Sequence, residues 1–251
     1  MDELQLLIDL HKNGARQGPG GDTETKRAID LAMLDTSRPL KIADIGCGTG
    51  ASTFVIAQEL NASITAVDFL PPFLEELRSR ARTHGVMDKI TTLACSMDAL
   101  PFRDAEFDVI WSEGAVYNMG FEAGISYWRR FLKPGGKLIV SEITWLSATR
   151  PPDLQTHWDR EYPEIDVASF KIGIIERHGY SPEAYFVLPA HCWLENYYRP
   201  MQSRFDEFLE RHGQNEKARA IVEVERHEIA LYEKHSAYYS YGVYVARKLE
   251  A

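Results

Sequence analysis

Between Leu40 and Ile143 short apolar runs alternate with amphipathic stretches, and each run stops at a turn-forming or acidic residue. Leu40 to Ile45 reads as a strand that halts at a glycine cluster, and residues 51–60 place Phe54, Ile56, Ala57 and Leu60 on one side of a helix. Ser63 to Val67 is a second strand ending at Asp68, and Pro71-Pro72 then opens a helix over 71–84, since proline is tolerated in a first turn. Ile90 to Ala94 and Phe107 to Trp111 read as strands. A helix over 121–132, a turn at Lys133-Pro134-Gly135-Gly136 and a strand from Lys137 to Ile143 complete the series. Strands that alternate with helices predict a parallel sheet covered on both faces, which is a doubly wound α/β domain.

The flanks keep this rhythm less strictly. Leu4, Leu7, Ile8 and Leu10 form a short amphipathic helix that ends at Asn13-Gly14, and Gln17-Gly18-Pro19-Gly20-Gly21 cannot be helical throughout. Asp22 or Thr23 caps a further helix that carries Ile29, Leu31 and Leu34. Beyond the fifth strand, Val167 to His178 reads as helix and Tyr185 to Leu188 as strand. Residues 202–212 and 215–235 read as helices, the second with Ala218, Ile221, Val222, Glu225, Ile229 and Tyr232 at helical spacing. Tyr238 to Val245 closes as an aromatic-rich strand. The pattern divides into N-terminal helices at 1–36, a core at 37–148 and a C-terminal part at 149–251, with a helical insertion at about 190–236 between the last two strands.

The glycine cluster carries the chemistry. In Asp44-Ile45-Gly46-Cys47-Gly48-Thr49-Gly50-Ala51 three glycines at alternate positions follow a strand and open a helix. Such a loop turns tightly, lets backbone approach a ligand, and sets free N–H groups at a helix N-terminus. Gly46, Gly48 and Ala51 also satisfy the dinucleotide spacing, so an NAD-dependent oxidoreductase stays open. Asp44 speaks against it, because a carboxylate there repels a pyrophosphate but suits a cofactor that carries an ammonium and a sulfonium.

The same residues resemble the cofactor-binding motif of class I S-adenosylmethionine-dependent methyltransferases. The likeness continues through Asp68, Ser96-Met97-Asp98-Ala99-Leu100-Pro101-Phe102, Phe107-Asp108-Val109-Ile110 and Leu132-Lys133-Pro134-Gly135-Gly136-Lys137-Leu138. It covers roughly residues 40–143 and is nearest to the branch of ubiquinone- and menaquinone-biosynthesis methyltransferases and related small-molecule enzymes. The resemblance implies a seven-stranded, mainly parallel sheet with its last strand antiparallel and added helices over the active-site face. It implies S-adenosyl-L-methionine as cofactor and S-adenosyl-L-homocysteine as product. It assigns Asp68 to the ribose hydroxyls, Phe69 to the adenine face, Asp98 to the adenine amino group, Ser96 and Met97 to the ring, and Glu113 and Gly114 to the methionine end. Asp44, Gly46, Cys47, Gly48 and Gly50 form the loop itself.

Methyl transfer from a sulfonium needs little covalent help from the protein, so no catalytic dyad is expected. Tyr117 and Asn118 follow the fourth strand. Glu142, Trp145 and His157 lie at or beyond the end of the fifth, and His191, Trp193, Tyr197 and Tyr198 begin the insertion. Of these Tyr117, Asn118, Glu142, His191 and Trp193 are the substrate-pocket candidates, with the insertion and the N-terminal helix as a roof and Gly18 to Gly21 as its hinge. After the fourth strand stands Ser112-Glu113-Gly114-Ala115, not the Asn/Asp-Pro-Pro-Tyr/Phe pattern of enzymes that methylate base or glutamine amino groups.

A formal charge of −9, with basic residues interleaved among acids, argues against a nucleic-acid partner and for a small-molecule acceptor. Three widely spaced cysteines suggest neither a disulfide framework nor a zinc site, so no metal is expected. No apolar run approaches the roughly 20 residues that cross a bilayer, and Met1-Asp2-Glu3 is unlike a secretory leader, so a cytoplasmic protein is expected. The closing aromatic strand and the helix before it are a candidate homodimer surface. A protein that binds the cofactor without turnover is the non-enzymatic alternative.

Overall fold

A computed structural model describes residues 2–250. Helices α1 (Glu3–His11) and α2 (Asp22–Ala32) precede β1 (Leu40–Ile45), α3 (Ala51–Glu59), β2 (Ala62–Asp68), α4 (Pro71–Thr83), β3 (Ile90–Ala94) and β4 (Phe107–Glu113). Then come α5 (Phe121–Trp128), β5 (Leu132–Trp145), α6 (Pro152–Glu161), a two-residue β6 (Asp166–Val167), α7 (Ala168–Arg177) and β7 (Tyr180–Val187). The insertion holds α8 (Ala190–Trp193), a π-helical turn (Leu194–Tyr198), α9 (Arg199–Gln202), α10 (Phe205–Arg211) and α11 (Glu216–His235), and β8 (Tyr239–Lys248) ends the fold.

The sheet runs β3-β2-β1-β4-β5-β8-β7, with β6 beside the end of β5. Strands β1 to β5 pair in parallel, and β8 is antiparallel to both of its neighbours. Alternate residues of each strand feed two cores. Ile42, Val109, Trp111, Ile139 and Ile143 pack with Leu6, Leu10, Phe54 and Trp193 on one face. Ala43, Ile45, Ile110, Leu138 and Val140 pack with Phe121, Trp128 and Ile175 on the other. Central strands buried on both faces read as the near-continuous apolar runs seen in the sequence.

The expected elements form, with differences that have physical causes. The helix expected over 121–132 ends at Trp128 and tightens into a 3₁₀ turn (Arg129–Phe131), because Leu132 already pairs with Phe107. The Lys133–Gly136 segment is a bulge within β5, where the register shifts between Phe107 and Val109. Strand β7 starts at Tyr180, five residues before the expected Tyr185. Helix α6 was not expected; it starts behind Pro151-Pro152 and turns Trp158 and Glu161 toward the carboxyl ends of the strands. At the N-terminus Asp2 and Gln5 cap α1 reciprocally, the Asp2 carboxylate accepting from the Gln5 N–H at 2.8 Å. The closing strand is buried inside the sheet. It lies between β5 and β7, with Tyr239 and Tyr244 each 1% exposed. No helix among the described residues is long and apolar enough to cross a membrane.

Candidate active site

At the carboxyl ends of the parallel strands opens a cavity of about 840 Å³, near the top of the roughly 300–1,000 Å³ range of ligand pockets. Its floor is the glycine loop. The N–H groups of Gly46 and Cys47 donate to the Val67 carbonyl at 2.8 and 2.9 Å, which ties the loop to β2. Gly46 has φ +75°, and a Cβ there would stand 2.2 Å from the Ala115 Cβ, so only glycine lets the loop after β4 approach. Asp68 closes β2 by accepting from the Gly48 N–H and the Leu70 N–H, each at 2.9 Å. Burial raises its pKa against those two bonds. The Trp128 indole, buried under α5, donates to the Met97 carbonyl at 3.0 Å and so fixes the loop that carries Ser96, Met97 and Asp98.

The chain before the sheet completes the wall. The Gln17 side-chain oxygen accepts from the Thr49 N–H at 2.9 Å and from its hydroxyl at 3.0 Å, while the Gln17 amide donates to the His11 and Gly14 carbonyls. Arg80 of α4 donates to the Gly14 and Lys12 carbonyls from the other side. Glu113, at the end of β4, accepts from the Trp111 indole at 3.0 Å and the Thr25 hydroxyl at 2.8 Å, with Arg16 at 3.4 Å. Residues 11–25 are thus a strap stitched to the glycine loop and to the β4 acid. The sequence reading placed a non-helical stretch from Gln17 to Gly21 between two helices there and did not see Arg16, Gln17 or Thr25 as site residues.

Ten of the twelve expected cofactor residues line the cavity: Gly46, Cys47, Gly48, Asp68, Phe69, Ser96, Met97, Asp98, Glu113 and Gly114. Asp44 and Gly50 do not. Asp44 shares the parity of Leu40 and Ile42, so it faces α3 and is fully buried beneath it. Its Oδ2 accepts from Thr53 Oγ1 at 2.6 Å and Ser52 Oγ at 3.2 Å, and its Oδ1 has no partner. Burial, only partly offset by the Thr53 hydrogen bond, pushes this carboxyl up to about 7, and nearby Glu113 adds to the rise. Gly50 caps α3 at φ +95°, where a Cβ would meet the Phe54 ring at 2.6 Å. Burial drives the Cys47 thiol well above its ordinary range, helped by Asp44 and Asp68, which disfavours the thiolate that a nucleophile needs.

Of the substrate-side candidates Tyr117, Asn118 and Trp193 line the cavity, and Glu142 and His191 do not. Glu142 points to the opposite face of β5, buried 3.5 Å from Lys171 Nζ of α7. Burial raises Glu142 against the pull of Lys171, and burial likewise lowers Lys171. His191 is half exposed and pairs with Glu24 at 3.3 Å, beside the buried Cys192. Trp145 packs against Tyr239, and His157 stands 6.0 Å from His227. Several lining residues escaped the sequence reading: Trp158 and Glu161 of α6, Tyr162, Tyr241, and Glu225 and Glu228 of α11. For Glu225 the signal was present, since an acid sat at a position of the apolar stripe.

Residues 42–136 match the family model described as a methyltransferase domain. The demethylmenaquinone methyltransferase of Thermus thermophilus is 32% identical over 120 residues, which are 47% of this chain and 53% of that one. The chain spans about half the length of the curated relatives it matches. Among solved structures, an S-adenosylmethionine-dependent methyltransferase from Geobacter sulfurreducens in complex with S-adenosyl-L-homocysteine superposes with a TM-score of 0.84 at 18% identity, covering 96% of this chain and 97% of that one. The [4+2]-cyclase SpnF superposes with 0.77 at 19% identity, covering 99% and 93%. The oxidoreductase alternative gains no support from any of these. Over residues 42–136, then, this chain is similar to a methyltransferase domain, and over nearly its whole length it shares the fold of S-adenosylmethionine-dependent methyltransferases.

Proposed function

We propose that this protein transfers a methyl group from S-adenosyl-L-methionine to a small-molecule acceptor. One observation carries the reading: the cavity behind the glycine loop is walled by Asp68, Asp98, Glu113, Glu161, Glu225 and Glu228, with Arg16 the single lysine or arginine among its lining residues. Arg16 itself lies 2.9 Å from Asp22 and 3.4 Å from Glu113. Such a wall favours a cofactor with ammonium and sulfonium charges and repels a pyrophosphate. A dinucleotide would also seek the free N–H groups of the α3 N-terminus, and there Gln17 already holds the Thr49 N–H.

The donor set fits the cofactor. Asp68 is placed for the ribose hydroxyls, although its carboxylate is shared with the Gly48 and Leu70 N–H groups. In this reading Ser96, Met97 and Asp98, which line the cavity, take the adenine, and Glu113 with Gly114 the methionine end. When bound, S-adenosyl-L-methionine supplies an activated methyl on a cationic leaving group. The chain's own work is to orient acceptor and methyl in line and to exclude water. The strap of residues 11–25 covers this side, and we place the lid there, with Gly18 to Gly21 as its hinge. An acidic wall also disfavours nucleic acid as acceptor.

Calorimetric titration with S-adenosyl-L-methionine, S-adenosyl-L-homocysteine and NAD tests the proposal. Binding of the first two and not the third is expected. A folded sample that binds neither sulfur compound overturns it. Hydrogen exchange on the same complexes should slow within residues 2–21; unchanged exchange there refutes the lid.

A further inference from the structure

The cavity lining includes an end formed by side chains that no cofactor role claims, and that end has a distinct chemistry. Glu225 and Glu228 stand three residues apart on α11, hence on one face, and both reach the cavity. Glu225 is 9% exposed; its Oε1 lies 3.2 Å from His11 Nε2, while its Oε2 is buried without any partner. Glu228 accepts one hydrogen bond, from the Tyr198 hydroxyl at 2.8 Å. Aromatic side chains complete this end, with Trp158, Trp193, Tyr197 and Tyr241 on the same lining. The Tyr197 hydroxyl is driven well up, by burial first and then by Glu225 and Glu228.

Two carboxylates held together in a poorly hydrated pocket repel, and one buried oxygen with no donor costs more. Among the described residues, the basic side chain on this part of the lining is His11, already in contact with Glu225. An anionic acceptor would add to the repulsion, and a neutral alcohol would leave the acids uncompensated. A cation satisfies both carboxylates and gains from the aromatic faces as well.

We infer that the methyl acceptor is an amine, bound as its ammonium form between Glu225 and Glu228 within the aromatic end of the cavity. The inference rests on the methyltransferase reading and narrows it to N-methylation. The nitrogen gives up one proton, which leaves to solvent. Its lone pair then forms the N–C bond to the methyl as the C–S bond breaks, the bonding pair staying on sulfur. The product is a methylated ammonium beside a neutral thioether. Glu225 and Glu228 orient the nitrogen and hold its charge before and after transfer.

The test is calorimetry on protein saturated with S-adenosyl-L-homocysteine, which is uncharged at sulfur and leaves the acceptor end free. Trimethylammonium and 2-phenylethylammonium are titrated against the neutral tert-butanol and 2-phenylethanol. Each cation should bind about tenfold or more tightly than its neutral counterpart. E225Q and E228Q, which keep size and shape, should each erase most of that preference while S-adenosyl-L-homocysteine still binds. Equal affinity for cation and alcohol, no binding of either cation, or a preference untouched by both variants overturns the inference and leaves the methyltransferase reading standing. Failure of S-adenosyl-L-homocysteine to bind the wild type overturns the two together.

Discussion

Replacing Asp44 by asparagine should make the protein more stable, and by an amount that grows with pH. In the folded chain burial holds this carboxyl at about 7, against 3.8 for a free aspartate. Below 3.8 both folded and unfolded chains carry the proton, and Asp44 does not distinguish them. Between 3.8 and about 7 the unfolded chain has lost its proton and the folded chain keeps it, so stability falls as pH rises. Above that window both are ionised and the loss is complete. Three units at 1.36 kcal/mol each give about 4 kcal/mol in full, of which about 3 kcal/mol develops between pH 5 and pH 8.

Asp44→Asn cannot ionise, so it escapes this loss. Any cost of a poorer fit to Ser52 and Thr53 enters equally at every pH. Glu228, which burial also raises, is common to both proteins and cancels in the difference. The assay is thermal unfolding of wild type and variant at pH 5 and pH 8 without cofactor. For a chain of this size about 3 kcal/mol corresponds to roughly 6–12 °C. The Tm of the variant should therefore gain on that of the wild type by about that much from pH 5 to pH 8. A gap that stays constant between the two pH values refutes the reasoning, because it would mean that Asp44 is already ionised in the folded chain at pH 5.

Asp68→Ala should weaken S-adenosyl-L-methionine by about a hundredfold, the worth of two hydrogen bonds to a charged acceptor at about 1.5 kcal/mol each; calorimetry showing a change under threefold would make Asp68 purely a turn residue. Gly46→Ala forces a Cβ to 2.2 Å from the Ala115 Cβ at φ +75°, and cofactor binding should be lost with a fall in Tm, both read in one thermal-shift titration. Against burial, which alone would raise it, hydrogen bonds from His212, Lys12 and Arg211 hold the Asp9 carboxyl at about 2. That stabilisation, about 2 kcal/mol, is present above pH 3.8 and lost as pH falls toward 2. Asp9→Asn should therefore lower denaturant stability at pH 7 and leave it unchanged near pH 2.

The glycine loop was legible because its demands are local: a tight turn, a close approach and a helix start leave their mark in consecutive residues. The strap and α11 act on the site from far along the chain, and nothing in Gln17 or Glu228 by itself announces the loop that each will meet. Between these extremes lies a signal that strand parity carries. Trp111 and Glu113 share one face of β4, and in the parallel register Glu113 pairs with Ser141. Ser141, Ile143 and Trp145 therefore turn toward the cavity side, and Glu142 must turn away, to Lys171. Asp44 in β1 pairs with Trp111 and so lies on the face of Glu113, but α3 covers it there through Ser52 and Thr53. A carboxylate at a strand end is a site residue only if its parity matches the open face. Glu113 meets that condition, and the buried pairing of Glu142 is what failing it looks like; Asp44 meets it as well and is kept from the cavity by the helix that covers it. The acid at Glu225 follows the helical version of the rule, since a charge on the apolar stripe of a helix must find either a partner or a ligand, and its Oε2 has no partner.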